Sequence, residues 1–395
     1  MSTPIALAAL LLAVFSPERY GAVGDGVTDD TAAIRRAESA LEQAGGGTLE
    51  FGRGKTYLLA TVGRYTVRVP VAAPHFQSAD QSQQYHVLIA NRGDVKWNLN
   101  GSTLKSSIAN GGEMIILDGV RNFEVSNGTI ESVTAKDKLG KVTTAGMNGF
   151  AVTSQTRDSG NIRFRNLVAR NVYAPIYVFG DPASRFRVRG VVLDDIRHDQ
   201  GIYTLACHDN GDDVQARGVQ SIDTLREYFI YGVTNHDVQM YSEIGTSGFG
   251  SLIKAYDRDT SQIRFALRTR KNISQPNVVL QSQHSPATQS RPNRLVDITL
   301  DIDNRGTHGL GPAVGFEYYR DASLQSRSSD NLWTGVKLRG TQEQPPVVST
   351  KQNSQTAAGT LDTEGLLLLH GSLASTFACT GLTDARHRYA ANCAR

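Results

Sequence analysis

The sequence predicts an all-β protein built as one solenoid of short stacked strands, with a single helix near its start. Three observations carry this prediction. Apolar residues recur with helical spacing from Ile34 to Ala44, short alternating strands repeat between about residues 85 and 300, and no second helical pattern follows. A fixed repeat of roughly 20 to 50 residues is typical of solenoids, because each unit buries its apolar side only by stacking on its neighbours.

The helix is predicted from its start signal, its apolar stripe and its stop signal. Glycines supply bends before it, and Thr28, Asp29 and Asp30 offer oxygens to its free N–H groups. The apolar stripe consists of Ile34, Ala37, Leu41 and Ala44. The opposite, polar side consists of Arg35, Arg36, Glu38 and Glu42. Glycines 45–47 end the helix. An ordinary βα unit is the alternative interpretation.

The repeat is clearest in strands that open with a polar residue. Their first apolar residues are Phe123, Ile162, Phe186, Val214, Val238 and Ile263, and the last four steps are 24, 28, 24 and 25 residues. The longer first step of 39 residues contains Lys136, Lys138 and Lys141 and indicates an inserted loop. A two-sheet sandwich would need more hairpin turns than Asn100-Gly101 and Asn127-Gly128 provide.

A second set of strands precedes these markers, and its side chains alternate between core and solvent. Aligning the strands places Ile176, Ile202, Tyr228 and Ile253 in one column, and Tyr177, Tyr203, Phe229 and Lys254 in the next. A lysine inside a narrow coil would be an unpaired buried charge, so the column of Lys254 is predicted to face outward. A register shift of one residue would exchange the faces and give an internal aromatic ladder.

The segments Tyr20–Ile34 and Thr48–Tyr57 resemble the opening of the pectate-lyase superfamily of right-handed parallel β-helix proteins. The resemblance covers about the first 60 residues. It implies a right-handed parallel β-helix whose N-terminal helix caps one end of the coil. It also implies a function in handling polysaccharides, as an enzyme or an adhesin, with catalytic groups on the outer face of one sheet and in the adjoining turns.

The chain ends and the charge suggest the compartment. The apolar run from Ile5 to Phe15 has eleven residues, too few for a membrane span, so residues 1–15 are predicted to be a signal peptide or an apolar cap. Residues 16–345 are assigned to the β-helix, and residues 346–395 to a linker and a tail. We expect a secreted or periplasmic protein without nucleic-acid partners, since the net charge is only +3.

The three cysteines receive different predictions. Cys379 and Cys393 lie fourteen residues apart in the tail, where a disulfide would close a loop with little core of its own. Cys207 stands alone in an apolar strand, which favours a buried and inert thiol over a nucleophile.

The candidate catalytic residues depend on the reaction. A polysaccharide lyase needs a base next to a uronic carboxylate and a cation that stabilises the enolate, and a glycosidase needs two carboxyl groups. For the lyase the candidate bases are Lys254, Tyr203 and His208, with Arg226 and Arg258 facing the substrate carboxylate. For the glycosidase the candidates are Asp181, Asp209, Glu227 and Asp257. The outer residues expected to bind sugar rings are Tyr177, Phe229, Tyr231 and Tyr256.

One motif suggests a narrower assignment. Gly211-Asp212-Asp213, His236 and Arg268-Thr-Arg270 look like elements of the polygalacturonases, although no Asn-Thr-Asp precedes the pair and the last element ends in arginine. No cofactor is required by this interpretation. Calcium could bind at Asp194-Asp195 or at the Asp212-Asp213 pair, but turns favour Asp for its local hydrogen bonds as well.

The sequence therefore predicts an exported enzyme that cleaves an extended, acidic polysaccharide, with a β-eliminating lyase slightly preferred to a glycoside hydrolase. The alternative is a glycan-binding adhesin or a phage tailspike-like protein that does not cleave. Trimer formation is compatible with either function.

Overall fold

The structure, a computed structural model, describes residues 13–68, 80–137, 141–180, 184–243, 250–255, 258–270, 278–284 and 295–303, together with strands between residues 314 and 380. The helices are a 3-10 turn, Pro17–Tyr20, and α1, Thr31–Gln43. In chain order the strands of the first half are β1 (Val14–Phe15), β2 (Asp25–Asp29), β3 (Gly47–Glu50), β4 (Thr56–Leu59), β5 (Gly63–Arg68), β6 (Asp80–Ala90), β7 (Gly93–Asn98), β8 (Thr103–Ser106), β9 (Glu113–Asp118), β10 (Arg121–Glu131), β11 (Ala135–Lys136), β12 (Val142–Thr144), β13 (Asn148–Thr153), β14 (Ser159–Arg170), β15 (Ile176–Phe179) and β16 (Val188–Asp199).

The strands of the second half complete the two sheets. They are β17 (Tyr203–His208), β18 (Gly211–Ile222), β19 (Arg226–Tyr231), β20 (Thr234–Glu243), β21 (Ser251–Ala255), β22 (Thr260–Thr269), β23 (Val278–His284), β24 (Leu295–Asp303), β25 (Val314–Arg320), β26 (Asn331–Thr334), β27 (Val336–Arg339), β28 (Val347–Thr350), β29 (Ala357–Ala358), β30 (Thr360–Glu364), β31 (Leu368–His370) and β32 (Ala378–Thr380).

Apart from the β11–β12 pair, successive strands from β9 to β25 alternate between two sheets. The even-numbered strands lie in the first sheet and the odd-numbered strands in the second, and each pairs in parallel with the previous strand of its own sheet. A chain that visits two sheets in turn and always advances in the same direction forms a coil. The fold is a right-handed parallel β-helix, as predicted.

The long strands of the first sheet bend in the middle, which gives each coil a third side. β10, β14, β16 and β18 bend at residues with positive φ, namely Asn127 (61°), Asn166 (48°), Asp195 (57°) and Gly218 (64°). Such φ values suit Gly, Asn and Asp. Each coil thus contains one long strand of the first sheet, whose two arms meet at the bend, and one short strand of the second sheet.

The interior of the coil is a continuous apolar stack. Its aromatic members include Trp97, Phe123, Phe164, Tyr228 and Phe265, each at most 1% exposed. Tyr228 lies against Phe265 with ring centroids 4.9 Å apart. The predicted inward direction of Tyr228 is confirmed, and so is the buried, free thiol of Cys207, whose pKa is raised by burial.

Helix α1 covers the first coil with the predicted apolar stripe of Ile34, Ala37 and Leu41. The prediction that Glu38 lies on the polar side is wrong, because Glu38 is 2% exposed. Its carboxylate accepts from the Nε1–H of Trp97 and from Arg92 at 3.1 Å. Burial, partly offset by these two donors, raises the pKa of Glu38 to about 7.

The turn into each long strand is held by a stack of polar residues. Asp94, Asn122, Asn161, Asp213 and Asn235 have φ between 53° and 59° and occupy equivalent positions in their coils, and Gly190 takes this position between Asn161 and Asp213. Side-chain amides connect neighbours in this stack: the Nδ2 of Asn161 donates to Oδ1 of Asn122 at 2.7 Å, and that of Asn235 donates to Asp213 at 2.7 Å.

Two of the predicted repeat markers are wrong. Phe123, Ile162, Val214 and Ile263 share one column, but Val191 replaces Phe186 in it, and His236 replaces Val238. In β20 the inward position opposite Val214 is taken by the polar residue His236, so the first apolar residue of that strand, Val238, lies two positions further along. The periodicity of apolar residues alone does not detect a buried histidine.

The predicted loop insertion is confirmed at residues 132–147. It contains the short antiparallel pair β11–β12, and the Nζ of Lys136 lies 3.3 Å from the carboxylate of Asp223, three coils further along. The loop and the turns at Asn171, Gln200 and Asp223 enclose a cavity of about 280 Å³.

The chain ends are described in part. Val14–Phe15 pairs with β3, and residues 1–12 lie outside the described residues. Strands β28 to β32 continue the parallel pairing beyond residue 345, within the range predicted to be a linker and a tail. Cys379 lies on β32, but Cys393 is outside the described residues, so the disulfide remains a prediction. No helix in the described part of the chain is long and apolar enough to cross a membrane.

The polar stack gives a test of the turn geometry. We expect Asn161→Ala to lower the free energy of unfolding by about 1–2 kcal/mol, because alanine pays the steric cost of positive φ and loses the bond to Asn122. Asn161→Gly should lose less, since glycine already occupies the equivalent position 190 with φ 70°. Denaturant unfolding followed by circular dichroism measures both; equal losses would show that backbone conformation is not the constraint.

Candidate functional site

The outer face of the second sheet carries the residues singled out by the sequence. Val178, Cys207, Ile230 and Ile253 form an inward column, each fully buried. The residues on either side of that column therefore point outward. They form two outer columns, Tyr177–Ala206–Phe229–Leu252 and Phe179–His208–Tyr231–Lys254.

The outward direction of Lys254 is thus confirmed, but the predicted register between strands is wrong. Ile176 pairs with Leu205 instead of Ile202, and Ile253 pairs with Ile230 instead of Tyr228. Ile202 precedes β17 altogether. The turns between coils differ in length, so counting back from a marker misplaces the strand start by two or three residues.

The outer aromatic row is the set of rings formed by these columns together with two ring neighbours, Tyr173 and Tyr203. Its members are Tyr173, Tyr177, Phe179, Tyr203, His208, Phe229 and Tyr231. Tyr203 stacks on Phe229 with centroids 4.9 Å apart and planes at 19°, and His208 stacks on Tyr231 at 4.0 Å and 24°. The small side chain of Ala206 lies between Tyr177 and Phe229 and leaves room for the neighbouring rings. Several members, including Tyr203, Phe229 and Tyr231, are half-buried and present part of a ring to solvent.

Tyr177 and His208 form a hydrogen-bonded pair within this row. The phenol oxygen of Tyr177 lies 3.0 Å from Nδ1 of His208. Burial, together with the charge of Lys254, lowers the pKa of His208 to about 3, so its imidazole is neutral near neutral pH. The Nε2 atom of His208 is buried and has no hydrogen-bond partner among the described residues.

The tyrosines of the row keep their protons. Burial raises the pKa of Tyr177 far above its ordinary value of 10, and the nearby acidic groups Glu113 and Asp209 add to the rise. Burial also raises the pKa of Tyr203 to about 12. The hydrogen bond between Tyr177 and His208 can be donated by either partner; where the imidazole carries its proton on Nδ1 and donates to the phenol oxygen, Nε2 keeps its lone pair.

Two cations flank the row. Arg226 occupies the position equivalent to Tyr203 on the next coil, and its guanidinium donates to the backbone oxygen of Gly250 at 2.7 Å. Lys254 follows Tyr231 in its column. The row therefore has positive charge beside aromatic faces, an arrangement suited to carboxylate-bearing rings.

Asp209, which follows β17, and Arg258, which follows β21, lie in one polar cluster beside the second sheet. Arg258 donates to Oδ1 of Asn210 at 2.6 Å and to Asp212 at 3.0 Å, and Arg187 donates to the same two residues at 2.8 Å and 3.2 Å. Asp209 is 1% exposed. Arg258 thus holds two turns together, and this contact explains its position better than contact with a substrate.

The prediction that Glu227 lies beside the outer columns is wrong. Glu227 is 1% exposed, and its carboxylate accepts from the hydroxyls of Ser242 at 2.8 Å and Ser251 at 3.0 Å. These bonds join the two sheets inside the coil, where a glycan on the outer face cannot reach the carboxylate. Asp181, Tyr256 and Asp257 are outside the described residues.

The polygalacturonase-like motif is not assembled on the outer face. Asp212 is held by Arg187 and Arg258, and Asp213 belongs to the polar turn stack. His236 is 1% exposed and lies between the phenol of Tyr228 and the backbone oxygen of Gly211, at 2.5 Å and 2.7 Å. Each residue has a structural role in its coil.

The described residues contain no cluster of three or more His, Cys, Asp or Glu side chains arranged to hold a metal. Asp195 takes a left-handed turn conformation, and Asp194 lies 3.8 Å from Arg165. Calcium binding at either predicted pair remains a prediction.

Glu113 is a candidate that the sequence did not reveal. It is 3% exposed at the start of β9, in register with Asn148, and burial raises its pKa to about 7. Its Oε2 atom and the Oδ1 atom of Asn148 are buried without hydrogen-bond partners among the described residues. The sequence does not single it out, because it opens an otherwise apolar run and only the fold places it near Tyr177.

Comparisons with known proteins agree with this fold. The chain matches no protein-family model and no curated protein. Among solved structures it is similar to the endo-xylogalacturonan hydrolase of Aspergillus tubingensis, with TM-score 0.53, 14% identity, and coverage of 95% of this chain and 98% of that one. The family 28 exopolygalacturonase of Yersinia enterocolitica gives TM-score 0.50 and 12% identity, covering 93% of this chain and 77% of that one. At these identities the likeness shows the parallel β-helix fold.

The pKa of Glu113 predicts a dependence of stability on pH. A carboxyl whose pKa rises from 4.5 to about 7 on folding stabilises the protein below pH 4.5, and this contribution is lost as the pH rises through 7. Glu113→Gln should therefore gain stability relative to the parent between pH 5 and pH 8, by an amount on the order of 3 kcal/mol at the upper end. Thermal unfolding across this range, with Glu124→Gln as the control, measures it; parallel profiles for parent and Glu113→Gln would contradict the assignment.

Proposed function

We propose that the protein is an exported carbohydrate-active enzyme that binds an extended, acidic polysaccharide along the outer aromatic row and cleaves it by β-elimination. One observation carries the proposal: the second sheet places aromatic rings, a neutral His–Tyr pair and two cations on one outer face. The fold alone does not determine this activity, since parallel β-helices serve several functions.

The row supports binding of a sugar chain. Aromatic rings offer flat apolar faces to the C–H side of pyranoses, and successive strands repeat at about 4.8 Å, so the ring faces recur along the coil. Arg226 and Lys254 supply positive charge beside these faces. The two similar proteins named above are, by their names, hydrolases of xylogalacturonan and polygalacturonate, which are acidic polymers.

The chemistry supported by the row is abstraction of the proton next to a uronic carboxylate. His208, neutral because of its burial and Lys254, can accept that proton at Nε2 when its Nδ1–H donates to the oxygen of Tyr177. The released electron pair forms the C4–C5 double bond as the glycosidic oxygen leaves, and protonated Tyr177 or Tyr203 can donate a proton to that oxygen. Lys254 and Arg226 can stabilise the negative charge that develops on the carboxylate.

A glycoside hydrolase is supported less well by the described residues. It needs two carboxyl groups on the substrate side, between about 5 and 9.5 Å apart. Glu227 points into the coil, and Asp209 lies in the buried cluster with Arg258. The remaining predicted carboxylates, Asp181 and Asp257, are outside the described residues.

A non-catalytic glycan-binding protein is the second candidate. One observation favours it: in the ligand-free site the pKa of Tyr177 and that of Tyr203 are both raised, so neither phenol is prepared to act as a base. Aromatic rings and cations are sufficient for binding without cleavage.

Incubation with polygalacturonate, alginate and a neutral glucan separates these functions. A lyase produces absorbance from unsaturated uronate together with new reducing ends on an acidic polymer, whereas a hydrolase produces reducing ends alone. We expect the first result. Binding to an acidic polymer without any new ends would defeat the enzyme and support the binding protein.

Variants of the row test the assigned roles. We expect His208→Ala to reduce turnover at least about 100-fold, since it removes the proposed base, and Lys254→Met to weaken both binding and turnover, since it removes the charge beside the carboxylate. The matched control is Lys96→Met, which removes an exposed lysine from the first sheet and should leave binding and turnover unchanged. Full activity in His208→Ala would exclude His208 as the base.

A further inference from the structure

The outer aromatic row is closed at one end by a strand of the protein itself. β5 runs antiparallel to the first residues of β6, with Gly63 opposite Tyr85 and Val67 opposite Gln81. Val67 is 1% exposed and packs in a small apolar cluster with Ile116, Ala151 and Phe179. This cluster lies on the outer face of the second sheet, separate from the core of the coil.

A polar contact fixes the same strand. The phenol of Tyr65 donates to Oδ2 of Asp118 at 2.5 Å, and its ring meets that of Tyr85 edge-on at 6.5 Å. Asp118 in turn accepts from the backbone N–H of Gln155 at 2.7 Å. β5 is thereby attached to two successive coils, those of β9 and β13.

The exposure of the outer column changes where β5 ends. Ile116 on β9 and Ala151 on β13, which cluster with Val67, are fully buried on this outer face. Tyr177, Phe229 and Leu252 in the same column are half-buried, as is Leu88 on β6, while the small Ala206 is 2% exposed. The open part of the column begins at Tyr177 and spans β15 to β21, three strand spacings or about 14 Å.

An extended glycan that follows the row along the coil axis meets Tyr65 and Val67 as a wall beyond Tyr177. A chain that continued past this point would have to displace Val67 from its apolar cluster and break the bond between Tyr65 and Asp118. Loss of such buried contacts costs several kcal/mol, whereas a chain that stops at Tyr177 loses none of them.

We propose that the protein binds the end of its polysaccharide at the closed end of the row and releases short products of one size from that end. This inference rests on the proposed function and names its mode of action. The wall built by β5, rather than any catalytic group, sets the distance between the chain end and the cleaved bond.

The products formed from a long acidic polymer test the inference. With polygalacturonate or alginate, whichever is cleaved, we expect one small product from the first minutes and a loss of viscosity at least about tenfold smaller, per new end formed, than random cleavage causes. A ladder of intermediate sizes with rapid loss of viscosity would overturn the inference and leave the proposed function intact. Absence of new ends on every polymer would overturn both this inference and the proposed function.

Variants of β5 identify the wall as the cause. The double variant Tyr65→Gly and Val67→Gly removes the two side chains that close the row, and we expect it to form longer products and to lower viscosity faster. The control is Arg64→Gly with Thr66→Gly, which changes the exposed side of the same strand and should keep the single product. If both double variants give the single product, the wall does not set the product size. If the first double variant fails to fold, the products of the parent protein still decide between cleavage from the chain end and random cleavage.

Discussion

The alternation of side chains along the strands of the second sheet is the constraint on which the site depends. Every inward residue, such as Ile230 or Ile253, is fixed by the continuous apolar core, so its neighbours must face outward whatever their chemistry. Parallel pairing then places equivalent positions of successive coils side by side. His208, Tyr231 and Lys254 are brought together in this way although the chain between them makes two full circuits of the coil.

The fold was predictable because its signals are local and repeated. The apolar stripe of α1, the alternating strands and the resemblance of the first 60 residues each pointed to the parallel β-helix. The direction of Lys254 followed from the cost of burying an unpaired charge. Glu38 and Glu227 are buried although the same cost would favour exposure, because hydrogen-bond donors compensate the burial of each carboxylate. The donors are Trp97 and Arg92 for Glu38, and two serine hydroxyls for Glu227.

The residue types of the site could be predicted from the sequence, but the contacts between those residues could not. Turns of unequal length hide the register, so the sequence aligns Tyr203 with Tyr177, whereas Ala206 is the true neighbour of Tyr177. The pairing of Tyr177 with His208, the burial of Glu113 and the wall of Tyr65 and Val67 depend on contacts between coils. Such contacts join residues far apart in the sequence, and no local pattern encodes them.

We propose above all that the outer face of the second sheet holds the glycan. A crystal structure of the protein with an acidic oligosaccharide of three or four units tests this proposal most directly. We expect sugar rings against Tyr203, Phe229 and Tyr231, with a carboxylate within about 3 Å of the Nζ of Lys254 or the guanidinium of Arg226. An oligosaccharide bound along the first sheet, or in the cavity beside Lys136, would contradict it.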